Sequence, residues 1–219
     1  MSAQSPCQPL VVTGTDTEIG KTVFAAALAG ALGAHYWKPV QAGVEPHEVF
    51  GETDAERVAN LGGLAREKVL AEAYRLATPC SPHRAAEIDG VEIDPERLAL
   101  PQVSGPLVVE GAGGVHVPLT RRRTYIDQFP RWGAPVVLVA RTQLGTINHS
   151  LLSLEALRAR AIPVLGVAFV GDSEPDSEAI ICELGKVRRL GRLPRLDPLT
   201  PEALRNAFLE NFTLEDFRP

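Results

Sequence analysis

The chain has 219 residues, with 22 lysines and arginines against 27 aspartates and glutamates, a net charge of −5. That length can bury a full core without a disulfide or metal staple, and the mix of 45% hydrophobic and 22% charged residues argues against wholesale disorder. The acidic balance argues against a basic nucleic-acid binder, but a local loop can still hold a small anion.

The N-terminal segment, residues 1–9, has neither a basic region nor an apolar run of a signal peptide and is a candidate disordered lead. Leu10 to Val12 then predicts a first strand. An Ala-rich helix over Lys21 to Leu32 follows, stopped by Gly33. Its apolar stretch, Val23 to Ala34, is too short to span a bilayer. Ala34 to Trp37 predicts a short strand. Thr53 caps a helix running to about Leu61 and stopped by Gly62 and Gly63. Asp94-Pro95 opens a helix to about Leu100. Strands follow at Pro106–Val109 and Val136–Ala140. Thr146 to Arg160 is a helix with an apolar side of Leu151, Leu152, Leu154, Ala156 and Leu157. Further on come a strand over Val164 to Val170, a helix over Ser177 to Leu184, a strand over Val187 to Leu190, and a helix over Pro201 to Leu209 capped by Thr200. Strands alternating with helices predict an α/β fold with a mostly parallel, doubly wound sheet and helices on both faces. No linker divides the chain, so residues 1–219 read as one domain.

The three cysteines, Cys7, Cys80 and Cys182, form no CxxC pair, which fits a reduced, cytoplasmic setting. Histidines 35, 47, 83, 116 and 149 are scattered without ligand spacing. The chemistry lies instead after the first strand, in Gly14-Thr15-Asp16-Thr17-Glu18-Ile19-Gly20-Lys21-Thr22. This is a P-loop with one residue more between its glycines than the common form. Glycines let successive N–H groups turn toward phosphate oxygens, and the helix that follows adds its positive end. Lys21 would reach the β- and γ-phosphates, and the Thr22 hydroxyl would bind Mg²⁺. Mg²⁺ needs carboxylates besides Thr22. Glu110, at the end of a strand entering Gly111-Ala112-Gly113-Gly114, is one candidate, and Asp54, at a helix start, is another. Lys38, held extended by Pro39, would emerge at the same sheet edge and neutralise developing charge.

The set resembles the ATP-dependent dethiobiotin synthetases. The pieces that carry the resemblance, in the family's order, are Thr13 to Thr22, Lys38-Pro39-Val40-Gln41-Ala42-Gly43, Thr53-Asp54-Ala55, Ser81-Pro82-His83, Glu110 to Gly114, and Leu144-Gly145-Thr146-Ile147-Asn148-His149. A weaker match runs through Gly191 to Pro194. The resemblance implies a ligase that closes the ureido ring of dethiobiotin from 7,8-diaminononanoate, CO₂ and Mg²⁺-ATP in biotin biosynthesis. It implies catalytic roles for Lys38 and Lys21, and Mg²⁺ on Thr22, Asp54 and Glu110. It places nucleotide on Glu18, Ile19, Gly20, Lys21, Thr22, Val23, Gly111, Ala112, Gly113, Val170, Gly171, Pro194, Arg195 and Leu196. Thr17, Lys38, Ala42 and the segment Leu144 to Asn148 are implied on the substrate side, the last from a second subunit of a homodimer.

Two positions depart from the family pattern. Ala42 stands where Ser or Thr is more usual, so it offers no hydroxyl. Val170 stands where an Asn often reads the adenine edge, which predicts weaker adenine selectivity. An ATP-driven partitioning or targeting switch is the alternative reading. Such proteins carry an extra lysine early in the loop, where this chain has Thr15, Asp16 and Thr17. An amidotransferase synthetase would need a glutaminase domain that the chain lacks.

Overall fold

A computed structural model describes residues 8–44 and 53–218. The expectation for residues 1–9 therefore lies mostly outside the described residues. Six parallel strands form the main sheet in the order β2-β5-β1-β6-β7-β8. They are β1 (Leu10–Gly14), β2 (His35–Trp37), β5 (Leu107–Gly114), β6 (Val136–Arg141), β7 (Val164–Val170) and β8 (Arg189–Leu193). Two further strands, β3 (Val40–Ala42) and β4 (Tyr74–Leu76), pair in parallel as a separate small sheet.

Alternation along the strands divides the core in two. Val11, Leu107, Val109 and Leu138 face one side; Leu10, Val12, Val108 and Val137 face the other. Helices α1 (Lys21–Leu32), α2 (Asp54–Gly62) and α7 (Pro201–Asn211) cover the second side, where Phe24, Phe208, Phe212 and Phe217 pack together. Helices α3 (Pro82–Ile88), α4 (Tyr125–Trp132), α5 (Thr146–Ala159) and α6 (Pro175–Gly185) contribute to the first. The central strands β1, β5 and β6 are buried on both faces along most of their length, which is why they read as near-continuous apolar runs. The result is the doubly wound α/β fold. The chain leaves β1 for strands on one flank and then for strands on the other, so a crevice opens at the carboxyl ends of β1 and its neighbours.

The predicted elements differ from the structure in four places. Asp94 does cap, accepting from the Glu96 N–H at 2.9 Å, but the helix is only a 3₁₀ turn over Pro95–Leu98. The strand expected to end at Glu110 continues to Gly114, with Gly14 and Gly114 in register. The last strand starts later, at Arg189, and the helix before it is longer, over Pro175–Gly185. Strands β3 and β4 and helices α3 and α4 were not among the predicted elements. Helix α4 carries Pro130 near its C-terminal end, a residue that disguises a helix in sequence.

Candidate active site

The site forms where β1, β2 and β5 end beside the start of α1. Gly20, the N-cap of α1, has φ 92°, a left-handed backbone that glycine adopts freely. There is also no room for a side chain: a Cβ on Gly20 would lie 2.7 Å from Val170 Cγ1. The same close packing marks β5, where a Cβ on Gly114 would lie 3.2 Å from the Thr15 carbonyl oxygen. The glycines of the second motif thus let a strand run tightly against the phosphate loop.

Four side chains converge on one point. The Thr22 hydroxyl lies 2.8 Å from Glu110 Oε1 and 3.2 Å from Asp54 Oδ1. Lys38 Nζ pairs with Asp54 Oδ2 and lies 3.2 Å from Glu110 Oε1. Each reaches the point from a different element. Thr22 is in the first turn of α1, and Lys38 follows β2. Glu110 is on β5, and Asp54 opens α2. A reciprocal cap fixes α2: Thr53 Oγ1 accepts from the Glu56 N–H, and Glu56 accepts from the Thr53 N–H at 2.8 Å.

Electrostatics follow from this packing. Burial opposes a charge on Lys38, but Glu110 and Asp54 override it and hold its ammonium above the ordinary lysine range. Burial likewise opposes ionisation of Asp54, yet Lys38 and the Thr22 hydroxyl keep its carboxyl below the usual range. Lys21 has no such pair among the described residues. Its Nζ donates to the Asp16 carbonyl at 2.9 Å, and burial lowers its pKa to about 8, partly offset by Glu110. An ammonium drawn down in this way regains its charge most readily beside an anion.

A cavity of about 780 Å³ opens over this point. Thr17, Glu18, Gly20, Lys21, Thr22, Val23, Lys38, Ala42, Asp54, Glu110, Ala112 and Gly113 all line it, so the structure brings most of the expected residues together. Ile19 and Gly111 stand behind the wall. Ile19 is buried in the core, and Gly111 backs onto Thr13 and Tyr125. Val170 sits against Gly20 at the far side of the loop, and Gly171 donates to the Leu193 carbonyl at 3.0 Å, just before Pro194, Arg195 and Leu196. The segment Leu144 to Asn148 lies outside the cavity at the start of α5, with Leu144 fully exposed.

Two residues escaped the sequence reading. Tyr36 donates to Glu110 Oε2 at 2.8 Å. Arg57, on α2, lines the cavity. Tyr36 looks like an ordinary core residue of a strand; only the pairing of β2 with β5 reveals its reach.

The cluster fits Mg²⁺ by the chemistry of its donors. Two carboxylates and a hydroxyl are hard oxygen ligands, and the ion completes its shell with water and phosphate. Among the described residues no group of three or more His, Cys, Asp and Glu is placed to hold a metal ion, and here the third oxygen beside the two carboxylates is the Thr22 hydroxyl. No helix among them is long and apolar enough to cross a membrane.

A phosphate loop feeding a buried helix, with lysines and carboxylates at the sheet edge, defines a P-loop nucleotide-binding fold. Solved structures share it. A ParA family ATPase from Chlorobium tepidum TLS aligns over 97% of both chains with a TM-score of 0.53 at 10% identity. The cell division ATPase MinD of Pyrococcus furiosus aligns over 93% of this chain and 88% of its own, with a TM-score of 0.53 at 14% identity. At such identities the likeness is one of fold alone. A protein-family model described as an AAA domain matches residues 8–203.

Much more similar sequences exist. An ATP-dependent dethiobiotin synthetase BioD of Rhodopseudomonas palustris (strain HaA2) is 68% identical over 210 residues, 96% of each chain. Proteins of the same name from Brucella anthropi and Novosphingobium aromaticivorans are each 64% identical over 207 residues, 94% of this chain and 95% and 98% of theirs. The chain belongs to the dethiobiotin synthetase family.

Proposed function

We infer that this protein is an ATP-dependent carbon–nitrogen ligase that closes the ureido ring of dethiobiotin from 7,8-diaminononanoate, CO₂ and ATP. The observation that carries the reading is the convergence of Thr22, Lys38, Asp54 and Glu110 beside Lys21, in a chain 68% identical to a protein named for this synthesis. One amine of the substrate adds to CO₂ and loses a proton, giving a carbamate. A carbamate oxygen attacks the γ-phosphorus, and ADP leaves. The second amine attacks the carbonyl carbon of that mixed anhydride, and phosphate leaves as the ring closes.

Such chemistry asks the protein for positioning and charge neutralisation. Lys21 and the loop N–H groups hold the phosphates. Lys38, kept charged by its two carboxylates, is placed to steady the carbamate oxygens and the phosphoryl group in flight. Thr22, Asp54 and Glu110 would hold Mg²⁺, which when bound neutralises charge across the β- and γ-phosphates. Thr17 and the backbone at Ala42 face the diamine. Loss of the hydroxyl usual at position 42 costs about 1 kcal/mol.

A homodimer is part of the proposal. Leu144, wholly exposed at the start of α5, is placed to meet a second copy, and the segment Leu144 to Asn148 would then receive the substrate carboxylate. We place the enzyme in the cytoplasm, with no membrane or nucleic-acid partner. The nucleotide base would lie near Val170, Gly171 and the Pro194 to Leu196 segment. An aliphatic Val170 packed on Gly20 offers a base no hydrogen bond, so adenine preference is expected to be weak. Turnover with ATP, CTP and GTP checks this, and a strong preference for ATP would count against it. The mechanism is tested with ¹⁸O-labelled bicarbonate. One label should pass from carbamate to released phosphate; unlabelled phosphate would exclude the mixed anhydride.

A further inference from the structure

Tyr36 is fully buried on β2, where parallel pairing sets it opposite Val108 of β5. Glu110 lies two residues beyond Val108 and so on the same face of the sheet. The long tyrosine side chain spans this offset along the parallel pair. Its hydroxyl donates to Glu110 Oε2 at 2.8 Å. Glu110 is itself fully buried, and its other oxygen, Oε1, is the one that meets Thr22 at 2.8 Å and Lys38 at 3.2 Å. The two oxygens of one carboxylate therefore have separate work: one is tethered, the other presented.

We propose that Tyr36 is a positioning residue for the divalent cation: by holding Oε2 it fixes the rotation of the Glu110 carboxylate and offers Oε1 to the metal beside Thr22. The inference rests on the metal set proposed above. Outer partners of this type orient a ligand, and their loss typically weakens metal binding by about 10- to 100-fold. Among the described residues Asp54 has no equivalent tether. Its two oxygens go to Thr22 and Lys38, both members of the cluster itself.

Tyr36→Phe removes the hydroxyl and keeps the ring. Tyr125→Phe is the control, since Tyr125 is also fully buried and packs in the opposite half of the core, with its hydroxyl beside the backbone at Ala112 and Val40 rather than on a carboxylate oxygen. Mn²⁺ is titrated into each protein with ADP present, and free Mn²⁺ is read by electron paramagnetic resonance. Tyr36→Phe should raise the Mn²⁺ dissociation constant about 10- to 100-fold, with a parallel rise in the Mg²⁺ concentration for half-maximal turnover and an unchanged KM for the diamine at saturating Mg²⁺. Tyr125→Phe should bind Mn²⁺ like the wild type. Wild-type affinity in Tyr36→Phe would overturn the proposal, whatever happens to its melting temperature. Equal weakening in both variants would overturn it too, by pointing to general packing. A wild type that binds Mn²⁺ with ADP yet forms no dethiobiotin would sink the ligase reading alone and leave this comparison standing.

Discussion

Helices α1 and α5 rise from the ends of adjacent strands, β1 and β6, and start alike. Each has a glycine N-cap in the left-handed region, Gly20 at φ 92° and Gly145 at φ 94°, and neither uses a side-chain cap. Each therefore turns backbone N–H groups and a positive dipole end toward the same sheet edge. Their surroundings differ. The first turn of α1 is finished by its own chain: Lys21 is buried, and Thr22 is joined to Glu110 and Asp54. The start of α5 has Leu144 fully exposed beside it. In the proposed reading, one terminus is a complete anion site within the protomer and the other is half a site that a second copy would complete. The lesson is that a glycine-led helix start marks where an anion can go, and the side chains around it tell whether one chain suffices.

The largest test breaks the finished site. Lys38→Met leaves Asp54 and Glu110 facing each other without their paired ammonium, with only Lys21 nearby as a counter-charge. We expect turnover to fall on the order of 10³-fold and stability to drop by about 3 kcal/mol, the low end for a broken buried pair because Asp54 is part-exposed. Steady-state kinetics and urea unfolding check both. Because Lys38 is raised and Asp54 lowered, this contribution should be lost as pH rises past the ordinary lysine range or falls below the ordinary aspartate range.

Leu144→Asp attacks the other terminus. The side chain is exposed, so the melting temperature of the protomer should hold, while the dimer dissociates and KM for the diamine rises about tenfold or more. Light scattering reads the first effect and kinetics the second. A dimer that survives with normal KM would place the substrate carboxylate elsewhere.

A third test sharpens the role of burial. With its pKa lowered to about 8, Lys21 loses its proton at mildly alkaline pH, and only the charged form attracts phosphate. ATP affinity should be flat at neutral pH and weaken above about pH 8, by at most about tenfold per pH unit. Calorimetry there should show proton uptake on binding. For stability the sign is opposite: the unfolded lysine keeps its proton longer, so Lys21 alone makes folding more favourable as pH rises from about 8 toward 10.5.

The smallest effect concerns what holds Asp54. Thr53→Ala removes the reciprocal cap of α2 and should cost about 1 kcal/mol in stability. Chemical unfolding would detect it, with only a minor change in turnover.

Sequence gave good access to whatever was fixed by local chemistry. Helix α1 was read from Lys21 to Leu32 with its glycine stop because both ends are set by residues needing positive φ, Gly20 at 92° and Gly33 at 59°. Thr53 announced α2 through its cap. Strands β3 and β4 stayed hidden, since three residues each carry too little periodicity, and their pairing joins segments far apart in the chain. The Asp94 signal overstated its helix because a cap and a proline set only the first turn, and nothing beyond Leu98 continued it. In the site, Lys21, Thr22 and Glu110 announced themselves through spacing and glycine neighbours. Tyr36 could not, because its contact with Glu110 is a product of sheet register.

The most direct test of the account is product formation. The purified protein is given 7,8-diaminononanoate, bicarbonate, Mg²⁺ and ATP, and dethiobiotin is sought by mass spectrometry, with Lys21→Ala alongside. Dethiobiotin in step with ADP from the wild type, and none from the variant, is the result expected. ATP hydrolysis by the wild type without dethiobiotin would contradict the account and turn attention to the other ATPases that share the fold.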